Sequence, residues 1–367
     1  MTDLMNSQET DYQARRIPLV FTGNAKEYFN IWIINILFTI VTLGVYYAWA
    51  KVRNHRYFYN HTYVDNSSFD YLANPKTLLK GWAIAVAVFL IYNLLNAYLP
   101  IATIPFAILF MFLLPWVVLK SLMFRAKNTA FRSIRFQFDK PYGEAWLAYV
   151  GIAILIPFTL GMIIPYMIYR QKQFYVDGHR YGTALFRYTG QSNRFYGIYL
   201  KTSLFAILIG SMIAMLMALA SSSMFFDPNA MTSPSMINNA EPSPGLPPLM
   251  FSALFASIIL FNLFLVSYLQ AHIFNIVMNH AQLENMHFES TMNPWTMVWI
   301  YISNTFAIVV SLGLLVPWSR IRLARYRASC VTLIANSELD EFVAKQVKEQ
   351  NALGEELGEI FDLDIGL

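Results

Sequence analysis

Ala48-Trp49-Ala50-Lys51-Val52-Arg53 closes the first long apolar run, residues 29 to 50, with an indole and two cations in immediate succession. The juxtaposition recurs at Pro115-Trp116 with Lys120, at Pro165-Tyr166 with Arg170, and at Pro317-Trp318 with Arg320 and Arg322. An amphipathic ring beside a cation on a long aliphatic stem pins a membrane segment at the water boundary, the ring at headgroup depth and the charge reaching into water. These sites therefore mark membrane interfaces. Their residues, Trp49, Lys51, Arg53, Trp116, Lys120, Tyr166, Arg170, Trp318, Arg320 and Arg322, are the candidate contacts for an anionic headgroup or a solute.

Composition agrees. Of 367 residues 56% are hydrophobic and 13% charged, and mean hydropathy is +0.42, too apolar for an ordinary water-solvated domain. Uncharged runs cover 29–50, 81–119, 145–169, 202–226, 242–283 and 290–319. Since a span takes about 20 residues, the run 81–119 holds two helices that turn at Pro100. The first 28 residues carry Asp3, Glu9, Asp11, Arg15, Arg16 and Lys26 and lack an apolar segment, so insertion is expected to use an internal span rather than a cleaved signal. One cysteine, Cys330, excludes an intrachain disulfide framework.

The cations decide the expected topology. All 26 Lys and Arg fall before residue 29, in 51–80, 120–140 and 170–201, or after 319, and none lies in 202–319. The positive-inside rule then makes 223–247 the periplasmic loop. Seven straight spans would strand one cationic segment outside, so either some runs dip and return or seven kinked spans leave one loop against the rule. The candidates are 29–50, 145–169 and 295–318, each carrying a Leu-Gly pair at the same place: Leu43-Gly44, Leu160-Gly161 and Leu312-Gly313. Residues 81–98, 102–119, 202–222 and 250–272 are left to cross, with both termini cytoplasmic.

Beyond the anchors, the sequence alternates in the manner of strands. Measured from Trp49, Trp116 and Tyr166, the residues Phe69, Phe136 and Phe186 each stand twenty positions on. Alternation around Asp65-Asn66 and its counterparts predicts β-hairpins over 51–75, 120–140 and 170–190, with a fainter copy from His272 to Phe288. The expected fold is thus an α-helical polytopic membrane protein with short cytoplasmic β-hairpins and an internal duplication. Its parts are a cytoplasmic segment 1–28, a first membrane repeat 29–144, a second 145–294, a third broken helix with anchor 295–336, and an acidic tail 337–367. Leu339, Phe342, Val343 and Val347 fall on one helical stripe of that tail.

Phe21 through Tyr71, with Tyr28-Phe29, Ile31-Trp32, Asn35, Thr42-Leu43-Gly44, Trp49-Ala50-Lys51-Val52-Arg53 and Arg56-Tyr57-Phe58-Tyr59, resembles the YjgN-like family of bacterial inner-membrane proteins. The likeness runs from about residue 18 to 335. It implies a multi-pass inner-membrane location, and it carries over no activity and no catalytic residue.

His280, Glu284 and His287 would share one face of a helix, as metal ligands do, but a hairpin there scatters them. No phosphate loop, dinucleotide fingerprint or nucleophile elbow is present. No metal, cofactor or catalytic residue is therefore assigned. The spans hold amides such as Asn35, Asn93, Asn96, Asn262, Gln270 and Asn304 in place of carboxylates, which argues against a proton-coupled carrier. The basic surface lies beside membrane runs and suits anionic lipid headgroups better than nucleic acid. The leading expectation is movement of a small solute or lipid across or within the bilayer. A scaffold that recruits partners through the hairpins is the alternative, and a lipid-modifying enzyme the third.

Overall fold

In the computed structural model, which describes residues 14–225, 248–336 and 338–349, each Leu-Gly pair sits where a helix stops and turns back. The helix α1 (Ala25–Val41) ends with Leu43 at φ 50° and Gly44 at φ 92°. Gly44 N–H donates to Thr39 O at 2.7 Å and Leu43 N–H to Ile40 O at 3.1 Å, the paired closure of a Schellman motif. The chain returns as α2 (Tyr47–Asn60), and Asn35 donates to Asn54 Oδ1 across the pair at 3.1 Å. Leu160-Gly161 and Leu312-Gly313 repeat the closure, with bonds from Gly161 to Ile156 O (2.9 Å) and Gly313 to Ile308 O (2.8 Å). The first joins α5 (Tyr142–Trp146), continued through wider and tighter turns to Leu155, to α6 (Ile164–Asp177). The second joins α9 (Pro294–Val310) to α10 (Val316–Ser329). All three leucines stand clear of the protein, 91%, 93% and 93% exposed.

The remaining helices are longer. They are α3 (Pro75–Tyr98), α4 (Thr103–Lys127), α7 (Ser192–Phe225) and α8 (Pro248–Asn279). The stretches Pro75–Tyr98, Pro100–Lys127 (α4 with the turn before it), Ser192–Met215 and Phe255–Asn279 are long and apolar enough to cross a bilayer. A prolyl turn at Pro100–Ala102 joins the first two, and Asn74 and Asn293 cap α3 and α9 through their side chains.

Hairpins alternate with the helix pairs: β3 (Thr62–Val64) with β4 (Ser67–Tyr71), β5 (Thr129–Phe131) with β6 (Ile134–Phe138), β7 (His179–Tyr181) with β8 (Ala184–Tyr188), and β9 (Ala281–Leu283) with β10 (Met286–Ser290). Asp65-Asn66 and Arg132-Ser133 both hold positive φ, the geometry of two-residue hairpin turns. The amino-terminal β1 (Arg15–Pro18) pairs with β11 (Val331–Ala335), while β2 (Val20–Phe21) pairs with β3. Strand order is β1-β11-β10-β9-β8-β7-β6-β5-β4-β3-β2, eleven antiparallel strands whose two ends are joined by Leu19 alone. The sheet closes on itself as a near-barrel.

This corrects the expectation of an α-helical polytopic protein carrying separate short hairpins and an internal duplication. A lone hairpin leaves two unpaired edges and is marginal in water. Here every hairpin edge is taken by its neighbour, so the strands make one sheet that is as much the core of the molecule as the helices are. The expected hairpin bounds also shift, because 51–60, 120–127 and 170–177 continue α2, α4 and α6 and only 62–71, 129–138 and 179–188 are strand and turn. The expected periplasmic loop, apart from its first three residues, lies outside the described residues, as do 1–13, Ser337 and the tail beyond residue 349.

Candidate functional site

Alternation along the strands sends one side chain in two to the inside of the barrel. Ile17, Val64, Phe131, Ile134, Tyr181, Ala184, Leu283, Met286, Leu333 and Ala335 fill it. In the middle of β4, β6, β8 and β10 stand Phe69, Phe136, Phe186 and Phe288, and these rings, with Leu19 between β1 and β2, pack on that core. Neighbouring rings follow at 6.4 Å (Phe69 to Phe136), 6.4 Å (Phe136 to Phe186) and 6.3 Å (Phe186 to Phe288) between centroids. They form a collar around the axis.

On the helix side of the collar is a cavity of about 400 Å³. Leu19, Phe69 and Phe136 form its floor; Phe58, Tyr59, Thr62, Arg125, Ala126, Thr129, Tyr175 and His179 form its walls. The Arg125 guanidinium has no ion-pair or hydrogen-bond partner among the described residues, and no carboxylate lines the cavity. Its field reaches His55, Tyr71, Tyr175 and His179. Burial first, and Arg125 second, push the His179 imidazole below its ordinary value, against a hydrogen bond between Nδ1 and Tyr175 O at 2.6 Å. His179 is therefore neutral at neutral pH, and its Nε2 is left for another partner.

On the far side the lumen is closed by a helix, α11, over 339–349. Leu339 and Phe342 are buried among the lumen side chains, and the Phe342 ring stacks on Tyr181 with centroids 6.0 Å apart. Gln346 is fully buried, its Oε1 accepting from Thr183 N (2.8 Å), Thr183 Oγ1 (2.8 Å) and Ala184 N (3.1 Å). Charged contacts ring the mouth: Arg132 with Asp340, and Lys345 with Glu284 at 3.5 Å. Tyr181 donates to Phe131 O at 3.1 Å, and burial drives its hydroxyl well above the ordinary tyrosine range, as a dry lumen requires.

The anchors from the sequence do not gather into one mouth. Lys51 and Arg320 share a cavity with Asn35, Asn54 and His55 between α1, α2 and α10. Trp318 and Arg322 line another, Arg322 stacked over the indole at 5.2 Å and donating to Ser303 Oγ and Asn304 Oδ1. Arg170 donates to Gln173 on its own helix, and Trp49 stacks against Tyr46. Arg53, Trp116, Lys120 and Tyr166 line none of these cavities. His280, Glu284 and His287 fall on a helix end, a turn and a strand.

Arg125, Tyr175 and His179 belong to no motif of their own, although the register that places the collar contains them. Nine positions after the anchoring aromatics stand Phe58, Arg125 and Tyr175, and thirteen after stand Thr62, Thr129 and His179. All six line the axial cavity.

Among the described residues, four helices apolar and long enough to cross a bilayer and one near-barrel antiparallel sheet are the marks of a membrane protein that is not purely helical. The chain belongs to a family described as bacterial protein of unknown function, DUF898, whose profile matches residues 16–360. It is 24% identical over 375 residues to the inner membrane protein YjgN of Salmonella typhimurium strain LT2, covering 88% of this chain and 90% of that protein. It is 28% identical over 145 residues to inner membrane protein YjgN of Escherichia coli K12, covering 39% and 36% of the two chains. No solved structure matches.

Proposed function

We propose that this is an inner-membrane protein that passes a small solute or an amphipathic molecule across or within the bilayer along the axis of its barrel. The observation that carries the reading is continuity: Leu19, Phe69 and Phe136 line both the cavity among the helix ends and the smaller lumen pocket that α11 closes. The collar is then a constriction, and α11 is its stopper. The run of cations supports a placement under the positive-inside rule, with the barrel and both termini cytoplasmic, α3, α4, α7 and α8 crossing, and the three Leu-Gly pairs re-entering. Scaffolding through the hairpins fits less well, because Phe69, Phe136 and Phe186 pack into the barrel's core and their strands have no free edge.

Proteoliposomes loaded with a small fluorescent anion, or carrying a labelled phospholipid in one leaflet, test this. The chain ended after residue 336, which lacks α11, should release or exchange probe faster than the full chain. Equal, background-level movement with both folded proteins overturns the reading.

A further inference from the structure

Thr62, Arg125, Thr129, Tyr175 and His179 come from α4, α6 and the strands β5 and β7 beside the β3 end of the first hairpin, far apart in the chain yet around one cavity. The cavity opens to the surface at Arg125 and Tyr175, and three features give it the character of an anion site. First, its one cation is uncompensated: among the described residues no carboxylate lines the walls, whereas Arg132, Arg15, Arg16 and Arg180 elsewhere on the barrel all pair with acids. Second, the Tyr59 and Tyr175 hydroxyls have no hydrogen-bond partner among the described residues, so two donors stand unused near the guanidinium. Third, the rest of the wall is aromatic or aliphatic: Leu19, Phe58, Phe69, Phe136 and Ala126. An unpaired cation with nearby hydroxyl donors beside an apolar floor is the chemistry that recognises phosphate or another tetrahedral oxyanion, and a guanidinium binds such oxygens in pairs.

We infer that this axial cavity is a binding site for a phosphate-type oxyanion, held by Arg125 with Tyr59 and Tyr175, and by His179 Nε2 once that ring takes up a proton, above the aromatic collar. The inference rests on the proposed axial pathway for its meaning, though binding and movement are separable. The same chemistry is presented by the headgroup of an anionic phospholipid and by free inorganic phosphate. Size leaves room for either headgroup or ion, about 400 Å³ against the few tens of Å³ one water occupies. A bound anion would also offset the field of Arg125 on His179, so binding and protonation of His179 are coupled and each favours the other.

The test is native mass spectrometry and calorimetry on the full chain in neutral detergent, titrated separately with phosphatidylglycerol, phosphatidylcholine and inorganic phosphate. Phosphatidylglycerol or phosphate should bind at least about tenfold more tightly than phosphatidylcholine, and Arg125→Gln should weaken that binding about tenfold or more, the worth of a charge-assisted contact. Arg125→Lys should keep part of it, and Tyr175→Phe should lose a smaller part, so the result does not depend on one variant folding. Arg135→Gln, an exposed arginine on β6, should bind like the parent. Tight phosphatidylglycerol with weak phosphate identifies a lipid headgroup, and comparable binding of both identifies the free anion; each supports the site. Binding untouched by Arg125→Gln and Tyr175→Phe in folded protein, or no preference over phosphatidylcholine, overturns it. Binding with no flux in the liposome assay leaves the site standing and removes only the pathway.

Discussion

Arg132 and Asp65, two turn residues of neighbouring hairpins, face each other across the rim of the barrel with Nη2 3.0 Å from Oδ2, and both side chains are largely shielded from water. The same guanidinium also donates to Asp340 on α11, and Asp65 also pairs with Arg15 at 2.7 Å. One arginine thus ties the first hairpin, the second hairpin and the stopper together. Arg132→Ala removes the central member and leaves Asp65 with Arg15 alone. The expected cost is about 1 to 3 kcal/mol, as for loss of one partner from a shielded pair. Chemical unfolding in detergent measures it, and a cycle with Asp340→Asn should show coupling between the two sites.

Gly182 holds φ +62°, and a Cβ there would lie 2.6 Å from Gln346 Oε1 and 3.2 Å from Gln346 Cβ. Gly182→Ala should therefore expel α11 as well as strain its own turn. Gly182→Asn separates the two effects, since asparagine tolerates this backbone but keeps the collision. Both variants should expose 338–349 to limited proteolysis, about tenfold faster than in the parent for a loss of about 1.4 kcal/mol of docking energy. Cleavage at the parental rate in Gly182→Asn would show that the seat of Gln346 does not hold the helix.

Part of this architecture is legible in the residues, and part is not. The Leu-Gly bends announce themselves, because positive φ at the second position selects glycine and the pair recurs at the same distance before three of the four anchors, Trp49, Tyr166 and Trp318. The collar phenylalanines share a twenty-residue register. The closure of the sheet leaves no local trace: β1 meets β11 across more than three hundred residues, and strand alternation says which face is apolar but not which edge it joins. Aromatic-rich stretches such as Arg56-Tyr57-Phe58-Tyr59 satisfy strand preferences while lying on α2, where Tyr57 packs on Tyr28 at 5.2 Å between ring centroids. Arg125 is hidden among the six cations of 120–140, and only its place nine residues after Trp116, in register with Phe58 and Tyr175, sets it apart.

The tips of the three bent pairs make a sharp prediction for membrane placement. Leu43, Leu160 and Leu312 are the outermost side chains of their bends and hold φ near 50°, a conformation leucine adopts at a cost of about 1 to 2 kcal/mol. If the bends dip into lipid, Leu160→Asp puts a charge at depth and should lower membrane integration by an amount matching about 2.5 kcal/mol or more. Leu160→Ile should be tolerated in that respect. Cysteines placed at Ser133 and Thr183 should label only from the cytoplasmic side. Labelling of either from the periplasm of intact cells would mean that the barrel is not cytoplasmic.

His179 gives the last prediction, through pH. Burial lowers its pKa most, and its neighbours are the Tyr175 carbonyl on α6, which accepts from Nδ1, the Arg125 cation on α4, and the Phe138 ring on β6, edge-on at 5.1 Å between centroids. Because its folded value lies below the unfolded one near 6.5, the unfolded chain binds the extra proton first. The stability associated with neutral His179 is therefore fully present above about pH 6.5 and is lost as pH falls toward the folded value. The melting temperature should drop on acidification from pH 7.5 to 5.5. His179→Gln, which keeps a donor at that place and cannot titrate, should flatten the slope. Added phosphatidylglycerol should recover part of the loss in the parent but not in Arg125→Gln, because only a bound anion beside Arg125 makes a cationic His179 tolerable. A slope that is unchanged in His179→Gln would assign the acid sensitivity to other groups.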